Sequence, residues 1–115
     1  MENREALLLE PGKIQVFPCE MPVIQDDEVL VKMEYCGVCG SDVHYFRFGG
    51  IGRRKVTFPY VLGHECTGEV LEIGSKVTNV TVGDKVVMEP GLGCGHCEYC
   101  MTGRYNLCED MKFMA

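Results

Sequence analysis

The chain has 115 residues, of which 46% are hydrophobic and 24% charged, so it is long enough for one modest domain with a core. Its formal charge of −6 argues against nucleic acid as a partner. No apolar run approaches the roughly 18 residues of a membrane span, and the N-terminus lacks the apolar core of a secretory signal. Eight cysteines without an export signal indicate reduced thiols, bound metal and a cytoplasmic location.

The first third of the chain predicts three strands. An apolar run at Arg4–Glu10 ends at a Pro-Gly turn, and residues 13–17 then alternate apolar and polar side chains. Together these two segments predict a hairpin. Residues 28–35 alternate on both faces, and this pattern predicts a long central strand.

A glycine-hinged turn follows and predicts a short helix at residues 43–48, capped by Ser41 or Asp42. The glycine-rich residues 49–55 predict a mobile loop on the surface, because they do not match a dinucleotide-binding pattern. The cations of this loop could meet a phosphorylated substrate, although a solvated loop is the simpler interpretation. They are Arg53, Arg54 and Lys55.

Further strands are predicted at residues 66–73 and 85–88, each bounded by turn residues. About six short strands with turns at regular spacing indicate a mainly β chain. A small, partly open barrel is the natural closure for such a chain. Residues 91–110 then form a loop that is rich in glycine and cysteine.

Four cysteines in that loop have the spacing C-x₂-C-x₂-C-x₇-C. Thiolates at such gaps can surround one ion, and four protein thiolates leave zinc no open position, so the site would be structural. Paired disulfides, an iron–sulfur cluster and unrelated buried thiols are the alternatives. Bacterial ferredoxins differ in having x₃ before the last cysteine and a proline after it. The four residues are Cys94, Cys97, Cys100 and Cys108.

A second set of ligands stands apart from this loop. Cys39 lies in the glycine turn, and His64 and Glu65 lie between two predicted strands. Three protein ligands with an open fourth position are typical of catalytic zinc. From the residues alone, an ordinary surface His-Glu pair remains the alternative, because the spacing from Cys39 is not diagnostic.

Three motifs occur in order along the chain. They are Cys39-Gly40-Ser41-Asp42, Gly63-His64-Glu65-x₂-Gly68-x₅-Gly74-x₂-Val77, and the four-cysteine loop. Together they resemble zinc-containing medium-chain alcohol dehydrogenases. Three further segments resemble the polyol branch, that of sorbitol and xylitol dehydrogenases, although threonine and butanediol dehydrogenases share much of the pattern. These segments are residues 37–45, 59–65 and 88–91.

The resemblance implies a fold and a domain organisation. Residues 1–115 would be a truncated N-terminal catalytic domain with a GroES-like, partly open β-barrel, short helices and a structural-zinc lobe at 91–110. A Rossmann domain that binds NAD or NADP would follow, with the main cofactor site beyond Ala115. The usual assembly of such proteins is a homotetramer.

The resemblance also implies roles for single residues. Catalytic zinc would be held by Cys39, His64 and Glu65. Ser41 would take the substrate proton and His44 would relay it to solvent, while Asp42 would orient His64 and Tyr45 would line the substrate cleft. Those roles are catalytic for Ser41, His44 and Asp42, and substrate-binding for Tyr45.

The function that follows is zinc-dependent oxidation of a polyol secondary alcohol to a ketose, with hydride transfer to NAD(P), as part of a longer chain. This piece alone would be inactive. One alternative is a stand-alone zinc-binding structural or interaction module. Another is redox sensing through the eight cysteines. Three cysteines outside the ligand sets are expected to be small buried apolar residues, namely Cys19, Cys36 and Cys66.

Overall fold

The computed structural model describes residues 1–114, so Ala115 at the end of the predicted domain lies outside the described residues. The strands within this range are β1 (Arg4–Glu10), β2 (Lys13–Pro18), β3 (Val29–Gly37), β4 (Gly50–Ile51), β5 (Arg54–Lys55), β6 (Tyr60–Val61), β7 (Glu65–Ile73), β8 (Lys85–Val87), β9 (Gly91–Leu92) and β10 (Lys112–Phe113). The helices are α1 (Gly40–Phe48), α2 (Glu98–Met101) and a 3₁₀ turn at Tyr105–Leu107. Among residues 1–114, neither α-helix has the length or the apolar character needed to cross a bilayer.

All pairing between the described strands is antiparallel, and the strands form four small sheets with the orders β2-β1-β6, β3-β7-β8, β4-β5 and β9-β10. The chain is therefore mainly β with short helices, as predicted. The strands within residues 1–114 do not close into a complete barrel, which agrees with the prediction of a partly open one.

The predicted hairpin is present as β1 and β2. Gly12 occupies the turn with φ of 82°, a left-handed conformation that favours glycine. Leu8, only 1% exposed, pairs with Ile14 on β2 and with Tyr60 on β6. β1 is thus the middle strand of its sheet, and the buried side chain at its centre joins the hairpin to the rest of the chain.

The strand predicted to be central, at residues 28–35, lies at the edge of its sheet. β3 pairs with β7 alone, whereas β7 pairs with both β3 and β8. Met33 and Tyr35 on β3 are 52% and 77% exposed, while Val70 on β7 is fully buried. The prediction was wrong because apolar alternation reports the faces of a strand and not its neighbours.

The close approach of β3 to β7 depends on Gly68. A Cβ atom at this position would lie 2.2 Å from the Lys32 carbonyl oxygen, which belongs to the backbone and cannot swing away. We expect Gly68→Ala to lower the free energy of unfolding by about 3 kcal/mol, the upper part of the usual range for overpacking. Urea denaturation measures this difference.

Gly40→Ala is the matched control, because a Cβ at Gly40 meets no atom within 4 Å. Its position in the first turn of α1 also favours alanine over glycine. The control is expected to unfold at a urea concentration no lower than that of the wild type. Equal destabilisation by the two variants would contradict the close approach of β3 to β7.

Two further regions are more regular than predicted. Residues 49–55 contain the paired strands β4 and β5, with a turn at Gly52, and not a structureless loop. The cysteine loop contains α2, a 3₁₀ turn and β9, and β9 pairs with β10 just after the loop; none of these elements was predicted. These elements are too short to show hydrophobic periodicity, so the sequence pattern could not reveal them.

Candidate metal centres

The four cysteines of the predicted lobe converge around α2. Their sulfur atoms all lie within 4.8 Å of one another, and Cys108 is buried while the other three are half-buried. Cys97 caps the N-terminus of α2, and its sulfur accepts a hydrogen bond from the Cys100 backbone N–H at 3.5 Å. The first turn of α2 therefore brings two ligands together, and the 3₁₀ turn brings in the last one.

Backbone N–H groups point at the sulfur atoms of this lobe. The Cys94 N–H donates to the Cys108 sulfur at 3.2 Å, and the Cys97 N–H donates to the Cys94 sulfur at 3.2 Å. The backbone N–H of Cys100 is the main reason why the pKa of Cys97 is lowered to about 6. Such donors stabilise thiolates, which are the form that binds metal.

The thiols of the lobe also influence one another. A backbone hydrogen bond from Gly95 lowers the pKa of Cys100, but desolvation and the neighbouring thiols outweigh it and raise that pKa to about 11. A divalent cation that binds such thiols displaces their protons to solvent, so all four sulfur atoms would be thiolates when metal is bound. His96 lies outside this set, because its exposed ring hydrogen-bonds the Cys94 carbonyl at 3.0 Å.

The second cluster brings together Cys39, His64 and Glu65, whose ligand atoms lie within 4.8 Å of one another. Cys39 caps α1, and Glu65 is the first residue of β7. Gly63 precedes His64 with φ of 100°, so the chain turns sharply as it enters the cluster. The helix start and the strand start are thus the two elements that position the three side chains.

Asp42 connects these two elements. Its carboxylate accepts hydrogen bonds from the Cys39 N–H at 3.0 Å and from the Gly63 N–H at 3.3 Å. The predicted helix at 43–48 with a cap at Ser41 or Asp42 is corrected, because α1 begins at Gly40 after the cap residue Cys39. Asp42 lies in the first turn and reaches back to the cap backbone, an arrangement found in capping boxes.

His64 suits a ligand role in its surroundings. It is 7% exposed, and its Nδ1 atom has no hydrogen-bond partner among the described residues. The closest acidic atom is the Asp42 Oδ1, at 3.7 Å, which is beyond hydrogen-bond distance. A buried imidazole beside a thiol and a carboxyl group is a donor set that zinc accepts, so the residues present fit the metal.

A cavity of about 390 Å³ opens at this cluster. Tyr45, predicted to line a substrate cleft, is buried and lines the cavity, as does Ser41. His44 is not among the lining residues; it is exposed, and its ring centroid lies 5.8 Å from that of Phe48. The structure thus places Ser41 and Tyr45 beside the ligands and His44 on the outer surface of α1.

Sequence reasoning missed three residues of this cavity, namely Ile51, Arg54 and Phe113. Phe113 on β10 stands edge-on to His64, with ring centroids 5.1 Å apart. Arg54 on β5 also lines the cavity, although a solvated surface loop was predicted there. No local pattern could have found Phe113, because it comes from a two-residue strand far along the chain. The three consecutive cations gave a signal for Arg54 but did not show which of them faces the cavity.

The prediction that the three cysteines outside the two clusters are buried was wrong. Cys36 is exposed, and Cys19 and Cys66 are half-buried. Cys36 and Cys66 face each other across β3 and β7, with their sulfur atoms 3.4 Å apart. Desolvation and the hydrogen bond with Cys36 raise the pKa of Cys66 to about 11.

The sequence and fold match known proteins. The model of the alcohol dehydrogenase GroES-like domain matches residues 25–115. A sorbitol dehydrogenase from Bacillus subtilis is 52% identical over 97% of this chain and 32% of its own length. An uncharacterized zinc-type alcohol dehydrogenase-like protein from Escherichia coli is 48% identical over 100% of this chain and 33% of its own.

A solved structure also resembles the fold. The galactitol-1-phosphate dehydrogenase of Escherichia coli superposes with a TM-score of 0.86 at 32% identity, covering 96% of this chain and 31% of that protein. This chain therefore spans about a third of the length of the curated relatives it matches.

Proposed function

The chain belongs to the family of alcohol dehydrogenase GroES-like domains, and we propose that it supplies the metal centres of a zinc-dependent polyol dehydrogenase as part of a longer protein. The proposed reaction oxidises a polyol secondary alcohol to a ketose, with hydride transfer to NAD or NADP. The observation that carries the proposal is the convergence of Cys39, His64 and Glu65 beside a cavity. The 52% identity to a sorbitol dehydrogenase supports a polyol as substrate.

In this proposal Cys39, His64 and Glu65 hold the catalytic zinc, and the four lobe cysteines hold a structural one. When bound, the catalytic zinc supplies a Lewis acid that lowers the pKa of the substrate hydroxyl. The carboxylate of Asp42 fixes both ligand-bearing segments through its hydrogen bonds to Cys39 and Gly63. These hydrogen bonds would hold the ligand side chains in position for the metal.

Proton transfer is assigned to α1. Ser41 lines the cavity, and its hydroxyl would accept the substrate hydroxyl proton. The imidazole of the exposed His44 would pass that proton to solvent, a proton-shuttle role in which histidine is common. Tyr45 would exclude water from one wall of the substrate cleft, because its side chain is buried there.

The wider features of the proposal rest on the family. The main nicotinamide site would lie outside this chain, and the complete protein would be a homotetramer. A cytoplasmic location is proposed because thiolate ligands need a reducing compartment. Neither nucleic acid nor a membrane is a proposed partner.

The proposal is tested on the complete protein by measuring its zinc content and its reduction of NAD and NADP with a panel of polyols. Two zinc ions per chain are expected from the two clusters, together with reduction of one nucleotide. Zinc binding without any oxidation of polyols would favour the stand-alone binding module instead. A protein that oxidises polyols with no bound zinc would exclude the proposed mechanism.

Asp42→Asn tests the positioning role of this carboxylate. The amide keeps the size of the side chain but loses the charge that accepts two backbone hydrogen bonds. We expect the affinity of the catalytic site for zinc to fall about 10-fold to 100-fold, as is usual for groups that orient metal ligands. Competition with a colorimetric chelator measures this change.

Asp84→Asn is the matched control. Asp84 accepts a backbone hydrogen bond from Thr81 at 2.9 Å in an exposed turn, so the same chemical change occurs away from both clusters. Zinc affinity should stay at the wild-type value. If Asp42→Asn behaved like this control, Asp42 would have no part in positioning the ligands.

A further inference from the structure

Arg54 is the cation that faces the cavity of the metal cluster. It lies on β5 directly opposite Ile51 of β4, and both residues line the cavity with Cys39, Ser41 and His64. Successive side chains of a strand point to opposite faces, so Lys55 lies on the other side of this ribbon, while Arg53 lies in the turn before β5. Accordingly, neither of these two is among the lining residues.

The guanidinium of Arg54 has no acidic partner among residues 1–114, because none of the ion pairs or side-chain hydrogen bonds there involves it. The two acidic side chains near the cavity have other partners. Glu65 belongs to the ligand set, and Asp42 accepts two backbone hydrogen bonds. A positive charge with all its donors free therefore stands beside the site of the chemistry.

A second polar group lies near this charge. The hydroxyl of Tyr60 is buried without a hydrogen-bond partner among the described residues, and its ring lies 5.7 Å from that of Tyr45. Burial raises the pKa of Tyr60, and the charge of Arg54 acts in the opposite direction, which places the guanidinium within electrostatic range of that hydroxyl. Tyr60 does not line the cavity itself, but its hydroxyl is a second donor without a described partner close to this charge.

We propose that Arg54 binds a terminal anionic group of the substrate, so that the site selects an acidic polyol over a neutral one. This inference rests on the proposed function. A guanidinium presents its N–H groups in a planar fork that matches phosphate and carboxylate oxygens in pairs, whereas a neutral hydroxyl gains little from the charge. The cavity of about 390 Å³ lies within the usual range for small-molecule sites.

The anionic group takes no part in bond making. The carbon that carries the alcohol gives its hydride to NAD(P)⁺, and the hydroxyl proton leaves toward Ser41. Arg54 orients the substrate by binding the anionic group at one end of its carbon chain, while the hydroxyl to be oxidised lies at the metal ligands. Binding energy from a remote group is a common source of orientation in catalysis.

The experiment compares kcat and KM of the complete protein for D-sorbitol, D-sorbitol 6-phosphate and D-gluconate. The variants are Arg54→Gln, Arg54→Lys and the control Arg53→Gln, whose side chain does not line the cavity. We expect the wild type to prefer at least one anionic substrate. Arg54→Gln should raise KM for that substrate about 10-fold to 100-fold more than for D-sorbitol, the range for a hydrogen-bonded charge.

Arg54→Lys should retain part of the preference, because it keeps the charge but not the fork. Arg53→Gln should behave as the wild type. A preference for the phosphate or for the carboxylate identifies which anion the site takes. The proposal is overturned if Arg54→Gln raises the KM for all three substrates by the same factor. It is also overturned if this variant changes only the KM for the nicotinamide cofactor.

Failure of the subsite differs from failure of the proposed function. If the wild type oxidises D-sorbitol but shows no preference for an anionic substrate, only the proposed anion subsite at Arg54 is contradicted. If the wild type oxidises none of the three substrates, the proposed function is contradicted. In that case calorimetric titration with D-sorbitol 6-phosphate and with D-gluconate decides the subsite, because binding that weakens in Arg54→Gln supports it and unchanged or absent binding overturns it.

Discussion

His64→Ala is expected to remove one of the two zinc ions and to lower kcat/KM for the alcohol about 1,000-fold. The imidazole is one of three ligands in its cluster, and two ligands hold zinc too weakly to keep it bound. A Lewis acid contributes several kcal/mol to such a reaction, and about 4 kcal/mol corresponds to a factor of about 1,000. Zinc content by mass spectrometry and steady-state kinetics measure the two effects.

His64 is buried, so its removal also leaves a cavity that could disturb the fold. Cys39→Ser serves as the second variant, because it removes a ligand with little change in volume. Both variants should lose the same zinc ion and keep the circular dichroism spectrum of the wild type. Agreement between the two would assign the lost activity to the metal and not to packing.

His96→Ala is the matched control for His64. Its ring is exposed and bonds only the Cys94 carbonyl, although it lies inside the cysteine loop. We expect it to keep both zinc ions and the wild-type kcat/KM within twofold. Loss of zinc in His96→Ala, or full activity in His64→Ala, would contradict the assignment of ligands made from the geometry.

The features that the sequence predicted well depend on short stretches of chain. The hairpin of β1 and β2 follows from alternation on either side of a Pro-Gly turn. The cysteine cluster follows from thiols with two residues between them, which one helical turn and one cap bring together. Both patterns are local, so the residues that matter lie within 14 positions of one another.

The features that the sequence did not predict depend on distant pairing. The edge position of β3 is decided by β8, and the position of Phe113 beside His64 is decided by the pairing of β10 with β9. The side of the ribbon on which Arg54 lies follows from its register opposite Ile51. Periodicity carries no information about register, and a shift of one residue would turn Arg54 away from the cavity.

The convergence of Cys39 with His64 and Glu65 stands between these cases. The residues alone left a surface pair as an alternative, and the motifs shared with a known family pointed to a common site. In the structure, the physical link is Asp42, which joins the start of α1 to the segment before β7 through two backbone hydrogen bonds. That link spans 21 residues between Asp42 and Gly63, beyond the reach of any helix or turn pattern.

Cys108→Ser is expected to unfold the cysteine lobe and to remove the other zinc ion. Cys108 is the buried member of its cluster, and it fixes the chain after α2 to the chain before it through the hydrogen bond from the Cys94 N–H. Few apolar side chains support this lobe; Leu92, Met101 and Leu107 are all exposed. Metal ligation must therefore supply most of its stability, as in small zinc-binding domains.

The measurement is limited proteolysis with zinc analysis, with the thermal midpoint recorded in parallel. New cleavage sites are expected within residues 91–110, with one zinc ion lost and the thermal midpoint lowered. Cys19→Ser is the matched control, because Cys19 is half-buried and belongs to neither cluster. In the Cys19→Ser variant, the cysteine lobe should resist protease as it does in the wild type.

The cluster of Cys39 should keep its zinc in Cys108→Ser, because Asp42 and not the lobe holds its ligand-bearing segments together. The contact of Phe113 with His64 is then a route by which loss of the lobe would reach the cluster of Cys39. A variant that keeps one zinc ion but loses activity would locate the coupling in this aromatic contact. A protease-resistant lobe without its zinc would show that packing, and not the metal, stabilises it.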